Sequence, residues 1–488
     1  MRNLRLLYFA WQCLACALLP AGMASARQLA RHGQLPDARR PAAIVLADSV
    51  EIAEVCIQGN RVTKDWIILR ELQLKPGDRV PALVLDSLLR LEANKVFNTN
   101  LFITSEVKYE AHDAKRVSLL VEVLEKWYTF PVPVVDVGDR NFNEWWQQRN
   151  RDLSRLVYGF TFRRSNFRGR NELLTVSLRL GFRQSLRVSY QIPYLNRKQT
   201  VGMGVRVNYG TFNNLAYQTG GNRLLFLSAD QALRRDFDAE WKVWRRKDYY
   251  TAHALQLAYR SQQVADTVLA LNPGYFGRDG LSGRRFLELS YAFSHDRRDI
   301  QVYPKRGFFV GAEVVQRGLG VIGGFRQTVL KATWAKYQPL GARVFFDTDW
   351  RAKYSWANEW GYVYSEGLGY RQELIRGYDL YVIDGNQALL SRNTLRFQAF
   401  DRTVKAGFIP AKQFSTIPLG LYPKAFLDIG YVRNAAIATL DERFANRPRL
   451  GWGLGLDVVT FYNTVVRLEY SMSQAGDRGL YFYWKTGF

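Results

Sequence analysis

The sequence predicts a mainly β fold, a transmembrane antiparallel β-barrel of about 16 strands preceded by one small α+β domain. Three observations carry this expectation. Aromatic residues make up 14% of the chain, yet mean hydropathy is only -0.23, the balance that results when lipid-facing apolar side chains alternate with polar ones. Beyond Ala26 no apolar run is long enough for a membrane helix. From about Leu153 onward period-two alternation dominates: Leu174, Val176, Leu178, Leu180 and Phe182 share one face of a strand, and Thr175, Ser177, Arg179 and Gly181 share the other.

The first element is a leader. Arg2 and Arg5 form a basic start, Leu6 to Leu19 an apolar stretch, and Ala24-Ser25-Ala26 a small-residue cleavage site, so residues 1–26 read as a signal peptide for export. Cys13 and Cys16 fall inside it. Lipidation of Cys16 is disfavoured by Cys13, which stands where an aliphatic residue is usual. After processing only Cys56 remains, which excludes an intramolecular disulfide and a thiolate metal cluster.

Residues 27–49 are rich in Ala, Arg and Pro without periodicity and read as a flexible N-terminus. Residues 50–127 form the α+β domain. A strand from Val50 to Gly59 precedes a turn at Gly59-Asn60, and Thr63 is placed to cap a helix over Lys64 to Leu72. After the turn at Lys75 to Asp78, Leu85, Leu88, Leu89 and Val96 line one face of a helix over Ala82 to Val96. Strands over Ile103 to Glu110 and Val117 to Leu124 close the unit. Residues 128–152, with Pro131, Pro133 and the aromatic run at Phe142, Trp145 and Trp146, read as a stiff linker at the membrane interface.

The barrel is expected over residues 153–488, with strands beginning near 155, 171, 185, 200, 222, 237, 251, 284, 306, 325, 340, 388, 422, 449, 464 and 479. The longest interval between strands runs from about Tyr354 to Ala388 and contains Arg376-Gly377-Tyr378. In the last strand, Leu480, Phe482, Trp484 and Phe488 share a face.

Charge and composition narrow the function. The formal net charge is +24, but its arginines and lysines are spread singly along the strands, with no recognition helix or base-stacking motif. Nucleic acid is therefore not an expected partner, and the charge suits a basic lumen or anionic lipid headgroups. His32, His112, His253 and His295 lack ligand spacing, so no metal site is expected. Gly318 to Gly323 fits G-x-G-x-x-G formally, but no helical pattern follows and the segment reads as a turn. Glu288, Glu313 and Glu469 read as lumen charge partners rather than a catalytic pair. No catalytic residue, cofactor or enzymatic activity is expected.

Two motifs in order tie these observations to a family. Ile375-Arg376-Gly377-Tyr378, followed by Phe426, Asp428 and Gly430, resembles the (I/V)-R-G-(F/Y) and F-x-D-x-G motifs of the BamA/TamA family of outer-membrane assembly barrels. The turns and strands of residues 50–127 are similar to a POTRA domain. Asp296 to Gly307 resembles the family's R-D-x-x-x-(F/Y)-P-x-x-G hairpin, read as structural, and Phe482, Trp484 and Phe488 resemble a C-terminal barrel-insertion signal.

The resemblance implies that Arg376 meets Asp428 inside the lumen and pins the sixth extracellular loop to the wall. It implies an outer-membrane barrel with its POTRA domain in the periplasm, in contact with outer-membrane lipids, unfolded β-barrel clients and periplasmic or lipoprotein assembly partners. The implied function is folding and insertion of β-barrel proteins. One POTRA-like module, where BamA has several, keeps two alternatives open: a polypeptide secretion pore for a dedicated partner, and a structural surface barrel without assembly activity.

Overall fold

The computed structural model describes residues 47–488 except 197, 278–279, 371–372, 406–415, 435–441, 461–463 and 486–488. The expected signal peptide, nearly all of the expected flexible N-terminus, and Phe488 lie outside the described residues.

The α+β unit comprises β1 (Ser49–Gln58), α1 (Asp65–Leu69), β2 (Arg79–Pro81), α2 (Ala82–Phe97), β3 (Phe102–Ala111) and β4 (Arg116–Glu125). Its sheet runs β2-β1-β4-β3, with β1 parallel to β4 and the other pairs antiparallel. Leu85, Leu89 and Val96 of α2 pack on Val50, Ile52, Leu119 and Val121 of the sheet, and Leu88 lies at the edge of that core. The first helix is shorter than expected, and Thr63 does not cap it. The Thr63 hydroxyl donates instead to Glu125 Oε1 at 2.5 Å, and its backbone N–H donates to the same oxygen at 2.7 Å. The helix starts one residue later than expected, with Lys64 at its N-cap position, so Thr63 lies before the residue that could cap it.

The barrel strands are β5 (Thr129–Val137), β6 (Leu156–Phe167), β7 (Glu172–Gly181), β8 (Gln184–Ile192) and β9 (Val201–Phe212). After a hairpin outside the ring, β10 (Asn214–Gly220) and β11 (Arg223–Ser228), the wall continues with β12 (Arg234–Arg246), β13 (Thr251–Val264), β14 (Gly283–Asp296), β15 (Gly307–Arg317), β16 (Gln327–Pro339) and β17 (Val344–Ala357). The short pair β18 (Glu366–Leu368) and β19 (Ile383–Asp384) lies in the next connection. The wall ends with β20 (Gln387–Phe397), β21 (Phe400–Lys405), β22 (Thr416–Arg433), β23 (Arg449–Thr460), β24 (Thr464–Ser473) and β25 (Arg478–Lys485).

These strands form a closed antiparallel barrel, with β25 beside β5 at the seam. Because β20 and β21 pair with consecutive stretches of β22, with a one-residue register shift between Arg396 and Phe400, they are two halves of a single stave, and the ring has about 16 staves as expected.

The count agrees although two of its members change. The wall begins at Thr129, not near Leu153: β5 lies in the stretch read as a linker and pairs with β6 from Thr129 to Val137. Pro131 and Pro133 suggested a linker because they lack a donor, but a strand at a seam tolerates proline. Conversely, the strand expected near residue 222 is β11, an arm of the excluded hairpin.

Alternation sets the two faces. Val205, Val207 and Tyr209 on β9, Trp241 on β12, Leu255 and Leu257 on β13 and Trp334 on β16 are exposed on the outside. Their neighbours in sequence face inward. Among the described residues no helix is long and apolar enough to cross a membrane.

The α+β unit is fixed to one rim of the barrel. Glu71 accepts two hydrogen bonds of 2.9 Å from Arg246, Arg70 stacks 4.2 Å from the Tyr194 ring centre, and Asn166 Nδ2 donates to Thr63 Oγ1 at 2.8 Å. Asn98, at the end of α2, donates to the Asp299 carbonyl at 3.2 Å.

Candidate functional site

The connection between β17 and β20, the sixth on the rim opposite the α+β unit, turns into the lumen and brings Arg376 to β22. There the guanidinium grips Asp428 in a two-pronged arrangement, Nε to Oδ2 at 2.9 Å and Nη2 to Oδ1 at 2.6 Å. The Arg376 backbone N–H adds a third bond to Oδ2 at 3.0 Å. Asp428 is fully buried, so its charge depends on these donors. Phe426 lies beneath, with its ring centre 3.9 Å from the guanidinium carbon. Thr394 Oγ1 accepts from Nη2 at 3.1 Å, and Glu469 stands 3.8 Å from Nη1. Burial lowers the Arg376 pKa, but the Asp428 charge and hydrogen bonds outweigh it, and the pKa rises above the ordinary arginine value.

Glycines make room for this contact. Gly377 has φ +94°, a left-handed conformation that carries the chain past β24, where a Cβ would stand 2.6 Å from the Met472 carbonyl oxygen. On the wall, a Cβ at Gly430 would lie 2.2 Å from Ile375 Cδ1, and one at Gly451 1.8 Å from the Arg376 carbonyl oxygen. Gly451 went unread, although glycine at alternate positions in Gly451-Trp452-Gly453-Leu454-Gly455 is a signal of close approach to a strand.

Tyr378 is buried and packs edge-on against Phe444, with centroids 5.3 Å apart. Asp379, next in sequence, accepts from the Gly377 N–H at 3.0 Å and from the Tyr483 hydroxyl. Burial pushes its carboxyl up to about 7, against the pull of those two donors.

The network extends toward the other rim. Lys424 Nζ lies 2.5 Å from both Glu469 and Asp457, and Asp457 accepts from the Tyr303 hydroxyl at 3.0 Å. Arg396 stacks 4.4 Å from the Tyr303 ring centre and donates to the Pro304 carbonyl at 2.5 Å. The Tyr303-Pro304 segment was read as a structural hairpin. The structure carries it into the barrel, within the same chain of charges as Arg376.

A second set of contacts had no sequence signal. The connection from β5 to β6 contains α3 (Phe142–Gln148), capped by Asn141, whose side-chain oxygen accepts from the Glu144 N–H at 2.7 Å. Arg140 donates to the Gly369 and Tyr381 carbonyls at 2.7 and 2.8 Å, and Asn141 donates to the Asp379 carbonyl at 2.8 Å. The first loop thus holds the sixth. Its helix also meets the seam: the Phe482 N–H of β25 donates to Asn143 Oδ1 at 3.2 Å, and Phe142 packs 6.4 Å from the Phe482 ring. A side chain of the first loop thus reaches the backbone of the last strand. Leu480 is exposed, with Phe482 and Trp484 half-buried at alternate positions after it.

Residues 166–400 match the Omp85 superfamily domain. Among solved structures, CdiB from Escherichia coli is similar with a TM-score of 0.53 at 11% identity, covering 89% of this chain and 75% of that one. BamA from Haemophilus ducreyi lacking POTRA domains 1-3 has a TM-score of 0.49 at 15% identity, covering 90% of this chain and 84% of that one. At such identities the likeness is one of fold. No curated protein shows significant sequence similarity to the chain.

Proposed function

We propose that the chain, whose residues 166–400 match the Omp85 superfamily domain, is an outer-membrane barrel of that superfamily that assists the folding and insertion of β-barrel proteins. The observation that carries this reading is the seam between β25 and β5, where a side chain of the first loop, Asn143, accepts from a backbone N–H of β25. An unpaired strand edge in lipid is costly, so an incoming client strand gains by pairing with an edge that a side chain releases. The Arg376–Asp428 contact keeps the sixth loop on the far wall during that exchange.

The α+β unit acts in this reading as a periplasmic POTRA module. Its sheet order leaves β3 at an edge, to which an unfolded client or an assembly partner adds a strand. Its bonds to the rim, led by Glu71 and Arg246, hold that edge beneath the barrel. The apolar outer face contacts outer-membrane lipid.

A second reading is a secretion pore for one dedicated partner. Depletion followed by quantification of outer-membrane and exported proteins separates the readings. Loss of many barrels supports assembly, loss of one exported polypeptide supports the pore, and loss of neither leaves only a structural role.

A further inference from the structure

We propose that the lumen face of β6 to β9 is a binding track for an acidic, extended polypeptide segment; the proposal rests on the barrel handling polypeptides, by either route above. Alternation turns Arg163, Arg179, Arg187 and Arg206 inward, because their neighbours Phe160, Leu180, Leu186, Val188, Val205 and Val207 are exposed apolar residues of the outer face. No aspartate or glutamate shares that inward face on these four strands.

The arginines are not consumed by one another's partners. Among the described residues the side chains of Arg163 and Arg179 make no hydrogen bond or ion pair, and that of Arg187 reaches only Asn208 Oδ1 at 3.3 Å. Arg206 pairs with Glu240 at 3.0 Å while keeping 45% of its side chain exposed. On the adjoining strand β12, Asp238 and Glu240 are already engaged by Arg260, at 3.1 and 2.7 Å. The opposite wall differs: Arg376, Arg396 and Lys424 each meet a carboxylate within 2.6 Å.

Register gives the track its spacing. Arg163 and Arg206 share one rung through Thr175 and Ser189, Arg187 stands on the next, and Arg179 on the one beyond. Successive inward rungs are two residues apart, or about 7 Å. An extended peptide repeats its same-side groups at that interval. Alternate acidic side chains therefore meet successive guanidiniums and form charge-assisted hydrogen bonds. Between Arg163 and Arg206 on their shared rung stand the small side chains of Thr175 and Ser189, which leave room for a backbone.

The test uses the full-length barrel in an uncharged detergent, with fluorescein-labelled poly-L-glutamate as probe and anisotropy at low salt as readout. The unsubstituted protein binds the probe, and Arg163→Gln/Arg179→Gln/Arg187→Gln weakens binding about tenfold or more. The charge-matched control Arg61→Gln/Arg245→Gln/Arg285→Gln, at exposed positions off the track, leaves affinity nearly unchanged. Labelled poly-L-lysine does not bind the unsubstituted protein, an arm that needs no variant to fold. Failure of polyglutamate to bind, equal binding of polylysine, or an equal loss in the control overturns the proposal. Because the readout is binding to purified barrel, it stands or falls separately from the depletion result.

Discussion

Replacing Arg376 with alanine removes two of the three hydrogen bonds that hold Asp428 and leaves a fully buried carboxylate with the backbone N–H alone. Removing one partner of a buried ion pair typically costs about 3–5 kcal/mol, mostly the penalty of the charge left behind. In Arg376→Ala/Asp428→Ala that penalty is absent, so the double variant is less damaged than the sum of the single variants by about 1–3 kcal/mol. The cost falls on the sixth loop, because the wall strands keep their ladders. Limited proteolysis of folded protein in detergent, with cleavage mapped between residues 358 and 386, reads it out. Arg376→Ala raises the cleavage rate strongly, and the double variant recovers part of the protection. A loop in Arg376→Ala as resistant as in the unsubstituted protein, or fully additive effects in the double variant, refutes the lock.

Three further outcomes follow. Gly451→Ala places a Cβ 1.8 Å from the Arg376 carbonyl oxygen, an overpacking cost of about 1–3 kcal/mol; the same proteolysis shows a released loop, whereas Gly341→Ala, with nothing within 4 Å, is silent. Asn143→Ala removes the acceptor of the Phe482 N–H, so hydrogen exchange across β25 speeds up while exchange in β23 holds; unchanged exchange contradicts the seam contact. The Asp379 carboxyl is raised from 3.8 to about 7 by burial, so its contribution is fully present below the unfolded value and is lost as pH rises through the folded one. Protection of the sixth loop therefore declines between about pH 4 and pH 7, and Asp379→Asn flattens that decline; an identical pH profile in the variant rejects the assignment.

The parts of the fold legible in the sequence are those set by local pattern. Leu174 to Phe182 alternate because one face meets an apolar surroundings and the other the lumen, and no tertiary knowledge is needed to see it. Arg376 and Asp428 were legible as a pair because an arginine beside a flexible glycine and a strand aspartate beside another form two recognisable motifs in order. The start of the wall was hidden by Pro131 and Pro133, whose missing donors matter only where a ladder is complete. The hold of Arg140 and Asn141 on the sixth loop was not legible, since their acceptors are backbone carbonyls more than 200 residues away in sequence. Backbone acceptors carry no sequence signature. Thr63 shows the same limit: its Glu125 acceptor is brought close only by the folded sheet.

Reconstitution tests the assembly reading most directly. The purified protein is placed in liposomes, a urea-unfolded β-barrel client is added by dilution, and the client's folded fraction is followed by its heat-sensitive gel mobility. Liposomes carrying the protein fold the client faster than empty ones, and liposomes carrying Arg376→Ala lose most of that gain. Equal rates with and without the protein contradict an assembly function.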